Sequence, residues 1–141
     1  MNYNYNDGGR SKYFKGKTRD CVTRAIAIAT GRDYKEVYDT LAELNATNGK
    51  NGVRSARNGI NTKTDSFKNL MRDWGFEWTP TMKFGSGCQV HLRAEELPKG
   101  RIVCAVSKHY VAVIDGVIND TYDCSRGGTR CVYGYWTLKI I

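Results

Sequence analysis

His109-Tyr110-Val111-Ala112-Val113-Ile114-Asp115-Gly116-Val117-Ile118-Asn119-Asp120-Thr121-Tyr122 is the stretch that decides the fold. Two β-branched, apolar runs flank Asp115-Gly116. That dipeptide is a strong hairpin signal, because a type I′ turn needs positive φ at both central positions. The turn sets the register: Ile114 faces Val117, Val111 faces Asp120 and His109 faces Tyr122. Residues of one parity share a face, so His109, Val111, Asp120 and Tyr122 point to the same side. Asp120 then lies diagonal to His109, within reach of its ring N–H. Asn119 and Asp123 face the other way, and Asp115 sits in the turn.

Outward from this hairpin, residues 76–79, 102–106 and 131–136 are further β-branched or aromatic runs, the first ended by Pro80. Residues 93–97 form a short helical turn. The first half has the other periodicity. Val22, Ala25, Ile26 and Ala29 recur at helical spacing after Asp20-Cys21, with Thr18 or Asp20 as cap and Gly31 as stop. Asp33 and Glu36 form a capping box before Val37, Tyr38, Leu41 and Leu44. These two helices make a hairpin. Phe67, Leu70, Met71 and Trp74 mark a third helix, begun by Asp65 or Ser66 and closed by Gly75. Helices followed by antiparallel strands give an α+β domain. We expect residues 1–19 to be an irregular arm, across which Tyr3, Tyr5, Tyr13 and Phe14 can lie, and residues 20–141 to be the single domain. Residues 45–63 hold five Asn and three Gly. They are expected to form a loop or flap beside the active-site cleft, with Lys50, Arg54, Arg57 and Lys63 giving it a positive face.

A chain of 141 residues with 40% hydrophobic and 26% charged side chains builds one core and is not a low-complexity sequence. The N-terminus lacks the basic start and apolar run of a signal peptide, and no stretch is long enough to span a bilayer. The expectation is a cytoplasmic protein without membrane association. The net charge of +8 raises the possibility of nucleic-acid binding. The basic residues are scattered, however, and no known basic motif contains them, which argues against it. Five cysteines, an odd number, point to reduced thiols in such a compartment. Cys88 and His91 have ligand-like spacing, and Cys124 and Cys131 would complete a zinc set. The gap between the latter two is too long for a zinc knuckle, so no metal and no cofactor is expected. Cys124 and Cys131 instead flank a loop across which they can approach each other. Trp74, Trp78 and Trp136 are expected in the core.

A cysteine opening a buried helix is the most informative single feature. The helix dipole and unpaired N–H groups there favour thiolate and can donate to an oxyanion. His109 heads an apolar strand, and Asp120 can fix its tautomer, so Cys21, His109 and Asp120 can form a triad. His91 is the second candidate base, without a strand to carry it toward Cys21. Arg24, one turn into the helix, is placed as a partly buried anchor for a carboxylate.

Asp20-Cys21-Val22-x-Arg24-Ala25-Ile26, with His109-x-Val111-Ala112-Val113-Ile114-Asp115-Gly116 and Asp120-Thr121, resembles the papain-like cysteine peptidase superfamily. The likeness is to its compact bacterial relatives, and more closely to small peptidase-like proteins of bacteriophage and bacterial genomes. It covers most of the chain. The resemblance implies a papain-like fold, with N-terminal helices carrying the nucleophile Cys21 and an antiparallel sheet carrying the base His109 and the orienting acid Asp120. It implies hydrolysis of a peptide, amide or isopeptide bond, or transamidation with the same parts. The substrate would be a protein or peptide, such as a host protein in the bacterial cytoplasm for a phage-encoded chain. The alternative is a catalytically altered fold that binds or inhibits a host factor. Papain-like enzymes usually place a Gln about six residues before the nucleophile. Here that residue is Lys15, and the only Gln is Gln89. The second oxyanion donor is then sought in the backbone near Lys17, or in Asn4 or Asn6.

Overall fold

The computed structural model describes residues 1–16, 19–48, 56, 59–83 and 85–139. Its helices are α1 (Cys21–Thr30), α2 (Tyr34–Asn48) and α3 (Asp65–Asp73). Its strands are β1 (Asn2–Tyr5), β2 (Phe76–Pro80), β3 (Val90–His91), β4 (Arg101–Val106), β5 (His109–Ile114), β6 (Val117–Asp120), β7 (Cys131–Val132) and β8 (Gly134–Leu138). Six strands form one sheet in the order β1-β6-β5-β4-β8-β2, and β3 pairs with β7 in a separate ribbon. Every pairing is antiparallel except β1 with β6. The chain is therefore α+β. None of its described helices is long and apolar enough to cross a membrane.

The hairpin register is the one the Asp115-Gly116 turn dictates: Ile114 pairs with Val117, Val113 with Ile118 and Ala112 with Asn119. Asp115 and Gly116 take φ of 49° and 81°. The strand stops at Asp120 instead of running on to Tyr122, and the expected strand over 131–136 is two strands, β7 and β8.

Both faces of the sheet are covered, which is why β5 is apolar at nearly every position. On one face Val103, Ala112 and Trp136 pack with Ile26, Val37, Leu41, Phe67 and Met71 of the helices. On the other, Ile102, Cys104, Val111, Val113 and Ile118 pack with Leu92 and Val132. α1 is buried from Val22 to Ala29, apolar almost all round, as a central helix must be. Its C-terminus closes on Gly31 in the left-handed conformation. α3 begins at Asp65 as expected, and Thr64 before it is the cap, its hydroxyl accepting the Phe67 N–H. The Asp33 and Glu36 carboxylates do not form the expected box. They engage the Tyr13 hydroxyl at 2.7 Å and Arg32 at 2.6 Å.

The segment 1–19 departs from the irregular arm expected of it. Asn2–Tyr5 adds a parallel edge strand to β6, held by backbone ladder bonds that a sequence poor in aliphatic residues does not announce. Further on, Tyr13 stacks on Tyr34 and Phe14 packs on Tyr38. Gly8, at φ 70°, lies so close to α1 that a Cβ there would sit 3.2 Å from the Arg24 carbonyl. Tyr3 and Tyr5 remain exposed.

Candidate active site

Cys21 is the first residue of α1, and Asp20 occupies the N-cap position without capping. Its carboxylate turns away instead. One oxygen pairs with Arg24; the other accepts the Tyr34 hydroxyl at 2.6 Å and Arg10 Nε at 3.1 Å. Among the described residues, no side chain therefore caps the N–H groups at the start of α1. Thr18, the other candidate cap, lies outside the described residues, as does Lys17.

His109 opens β5, and Asp120 closes β6, so both stand at one end of the sheet. The ring Nε2 meets Asp120 Oδ2 at 2.6 Å, which leaves Nδ1 for the other side of the ring. The Cys21 thiol lies close enough to that ring, and to the Tyr110 backbone N–H, for both to act on its ionisation. The His109 and Asp120 side chains share the parity of Val111, on the face away from the helices. The meeting with Cys21 is made at the strand end, where α1 begins. The structure thus brings Cys21, His109 and Asp120 together.

The charges of the three groups are linked. Burial pushes the Cys21 thiol up, but the hydrogen bond and charge of His109, the Tyr110 N–H and the Arg24 guanidinium outweigh it, and its pKa falls below the ordinary value. Burial acts on His109 in the opposite sense. Its hydrogen bonds to Asp120, Cys124 and Cys21 prevail and raise it to about 11. Burial likewise opposes ionisation of Asp120, and His109, the Thr121 N–H and Arg24 hold it below the usual carboxylate range. The three shifts run the same way, each favouring the charged form: thiolate, imidazolium and carboxylate. Arg24 is the anchor its position foretold: it bridges Asp20 and Asp120, the latter at 3.4 Å.

The expected oxyanion donors Asn4 and Asn6 are placed elsewhere. Both donate to Asn119 Oδ1, at 2.9 and 3.3 Å, Asn4 from strand β1 and Asn6 from just beyond it. Gln89 donates to the Ser86 carbonyl. His91, the second candidate base, bonds Glu96 at 3.2 Å on the small ribbon. Cys88 and Cys131 form a disulfide, against the expectation of reduced thiols throughout and of an approach between Cys124 and Cys131. The β3–β7 ribbon sets Cys131 opposite His91, and Cys88 lies two residues before β3. The zinc set is thereby dismantled, since both sulfurs are used.

Cys124, buried beside His109, is the neighbour that sequence reasoning missed, along with Arg10 and Tyr34 around Asp20. Only the loop proximity of Cys124 to Asp120 hinted at it. Ligand-type atoms of His109, Asp120 and Cys124 lie within 4.8 Å of one another, the one such group among the described residues. The guanidinium on the same aspartate opposes a cation there.

A cleft of about 850 Å³ opens over Cys21 and His109. Asn45 and residues 59–63 line one wall. The flap expected over 45–63 is thus beside the site at both its ends, while α2 runs on to Asn48 and most of the remainder lies outside the described residues. Trp136 is core as expected, but Trp78, 37% exposed, stands in the cleft wall with its ring 5.0 Å from that of Trp136. Comparison of the chain with protein-family models, with curated proteins and with solved structures finds no match in any of the three.

Proposed function

We propose that the protein is a papain-like thiol hydrolase acting on a peptide, amide or isopeptide bond. The observation that carries the reading is the continuous contact from Cys21 through His109 to Asp120, with the thiol at a helix start left uncapped. The Cys21 thiolate attacks the carbonyl carbon, and the oxyanion develops beside the first N–H groups of α1. His109, protonated, gives its proton to the departing nitrogen, and the C–N bond breaks to leave a thioester. The neutral ring then takes a proton from water, whose oxygen attacks the thioester and releases the acid. Cys21 departs as the thiolate and His109 keeps that proton, which restores the starting pair. Asp120 keeps Nε2 occupied, so that Nδ1 handles each transfer. An amine in place of water makes the same site a transamidase.

Iodoacetamide alkylation of the native protein, followed by peptide mapping, tests this. Cys21 should react well ahead of Cys104 and Cys124, which are buried thiols, Cys104 with its pKa raised by burial. A Cys21 no faster than those two removes the nucleophile.

A second reading has its own observation, Lys15 standing where the family carries an oxyanion Gln. It makes the chain a binding protein on a peptidase-like frame, directed at a host factor. A Cys21→Ala variant with undiminished biological effect would select it.

A further inference from the structure

We infer that the cleft over Cys21 binds an acidic peptide segment, with carboxylates on either side of the bond to be cut. The inference takes its chemistry from the thiol-hydrolase reading, but peptide binding can be measured without it. Four cations line the cleft, namely Arg19, Lys63, Lys68 and Lys108, and no carboxylate does. None of the four has an ion-pair partner among the described residues, whereas Arg10, Arg24, Arg32 and Lys35 all do. Two of the four are tied to the triad by the chain itself. Arg19 precedes Cys21 by two residues, and Lys108 immediately precedes His109.

Lys108 carries a further mark. It sits in the two-residue turn between β4 and β5 at φ 55°, a left-handed conformation that strains any side chain and that glycine adopts freely. The fold nevertheless places a lysine there, exposed at the lip of the cleft. The walls between the cations are aromatic. Trp78 and Tyr133 are exposed, and the Tyr110 hydroxyl accepts the Trp136 Nε1–H at 3.5 Å. Flat rings with fixed hydroxyls suit an extended backbone, and the rim charges select its side chains. A polyphosphate strand would also answer the charge. The enclosed thiol at the cleft floor, however, calls for a carbonyl, which favours the peptide.

The test uses the full-length Cys21→Ala protein and three acetylated, amidated hexapeptides with a central Gly-Gly, flanked by four Glu, four Gln or four Lys. Intrinsic tryptophan fluorescence follows binding, since Trp78 and Trp136 line the cleft. The Glu peptide should bind at least about tenfold more tightly than the Gln peptide, and the Lys peptide more weakly still. The advantage should shrink in high salt and in Lys108→Gln and Lys63→Gln. Equal affinities, or no binding by any peptide, overturn the proposal. Tighter binding of a thymidine hexanucleotide than of the Glu peptide overturns it in favour of nucleic acid. Iodoacetamide reactivity of the unmodified protein decides the thiol reading separately, so the two can fail independently.

Discussion

Arg24→Met is the substitution on which the electrostatic account of the site most directly depends. Methionine keeps most of the arginine stem and its packing and removes only the guanidinium. That group joins two carboxylates whose side chains are 0% and 4% exposed, and is itself 10% exposed, so solvent screens the pairs little. At an effective dielectric constant of about 20, the 3.4 Å contact with Asp120 alone represents roughly 5 kcal/mol of gross attraction. Desolvation of the guanidinium offsets much of this. Breaking a buried pair typically costs about 3–5 kcal/mol, because the abandoned charge stays buried. Here neither carboxylate is abandoned: Asp20 keeps Arg10 and Tyr34, and Asp120 keeps His109. The loss should therefore fall at the lower end, about 3 kcal/mol. Urea unfolding followed by tryptophan fluorescence should show a midpoint lower by about 1.5 M for a slope of about 2 kcal/mol per M. The loss should persist in high salt. The alkylation midpoint of Cys21 should move to higher pH, since the Arg24 charge lowers its pKa, and Arg24→Lys should restore part of both effects. A loss under about 1 kcal/mol, or one abolished by salt, is the behaviour of a solvated surface pair and would refute the reasoning.

Asp120→Asn removes the hydrogen bond that does most to raise His109, so the ring should lose its proton at a lower pH and Cys21 should ionise at a higher one; a Cys21 alkylation profile unmoved by the change would exclude coupling. In the native protein the charge of His109 contributes stability that is complete below its ordinary value of 6.5 and lost as pH rises through about 11. The Asp120 contribution runs oppositely, present above 3.8 and lost as pH falls through its lowered value, and acid and alkaline unfolding curves of Asp120→Asn should show both losses already made. Gly134→Ala would put a Cβ 2.3 Å from the Trp78 ring, driving it from the cleft wall; we expect about 1–3 kcal/mol of destabilisation and more solvent-exposed tryptophan emission. Reducing the Cys88–Cys131 bond, which spans 43 residues, should lower stability by up to about 4 kcal/mol and leave Cys21 alkylation at its native rate.

The cluster of Cys21, His109 and Asp120 was legible because each member sits where a local rule is strong. Asp115-Gly116 fixes one register, and parity then carries His109 and Asp120 to one face without any knowledge of the tertiary fold. Cys21 was marked by the abrupt start of an apolar helix. Strand β1 was illegible for the opposite reason: Asn2–Tyr5 is exposed at every position, so no burial pattern writes itself into the residues. The Asp20 network was also hidden. Asp before a helix reads locally as a cap, and only the tertiary placement of Arg10, Arg24 and Tyr34 reveals a stronger set of partners for its carboxylate. The disulfide escaped because its cysteines are far apart in sequence and the β3–β7 ribbon that brings them together consists of two-residue strands.

The turning of Asp20 away from α1 joins these findings. An N-cap aspartate usually accepts N–H groups of the first turn, worth about 1 kcal/mol to the helix, and it would place negative charge beside Cys21. That charge would oppose both the thiolate and a developing oxyanion. Neutralised by Arg24 and Arg10 and fixed by Tyr34, the same carboxylate leaves the N–H groups at the start of α1 without a bond from Asp20, so the helix dipole adds to the His109 ring and the Tyr110 N–H in favouring the thiolate. Arg24 performs the second half of the task at Asp120, where its charge keeps the carboxylate ionised under the imidazolium. One guanidinium therefore acts on both ends of the cluster. It withdraws an anion from the Cys21 thiol and secures an anion beside the His109 ring. A surface cation could do neither, because water would screen both contacts. Arg24 has to be buried, in the first turn of the helix that presents Cys21.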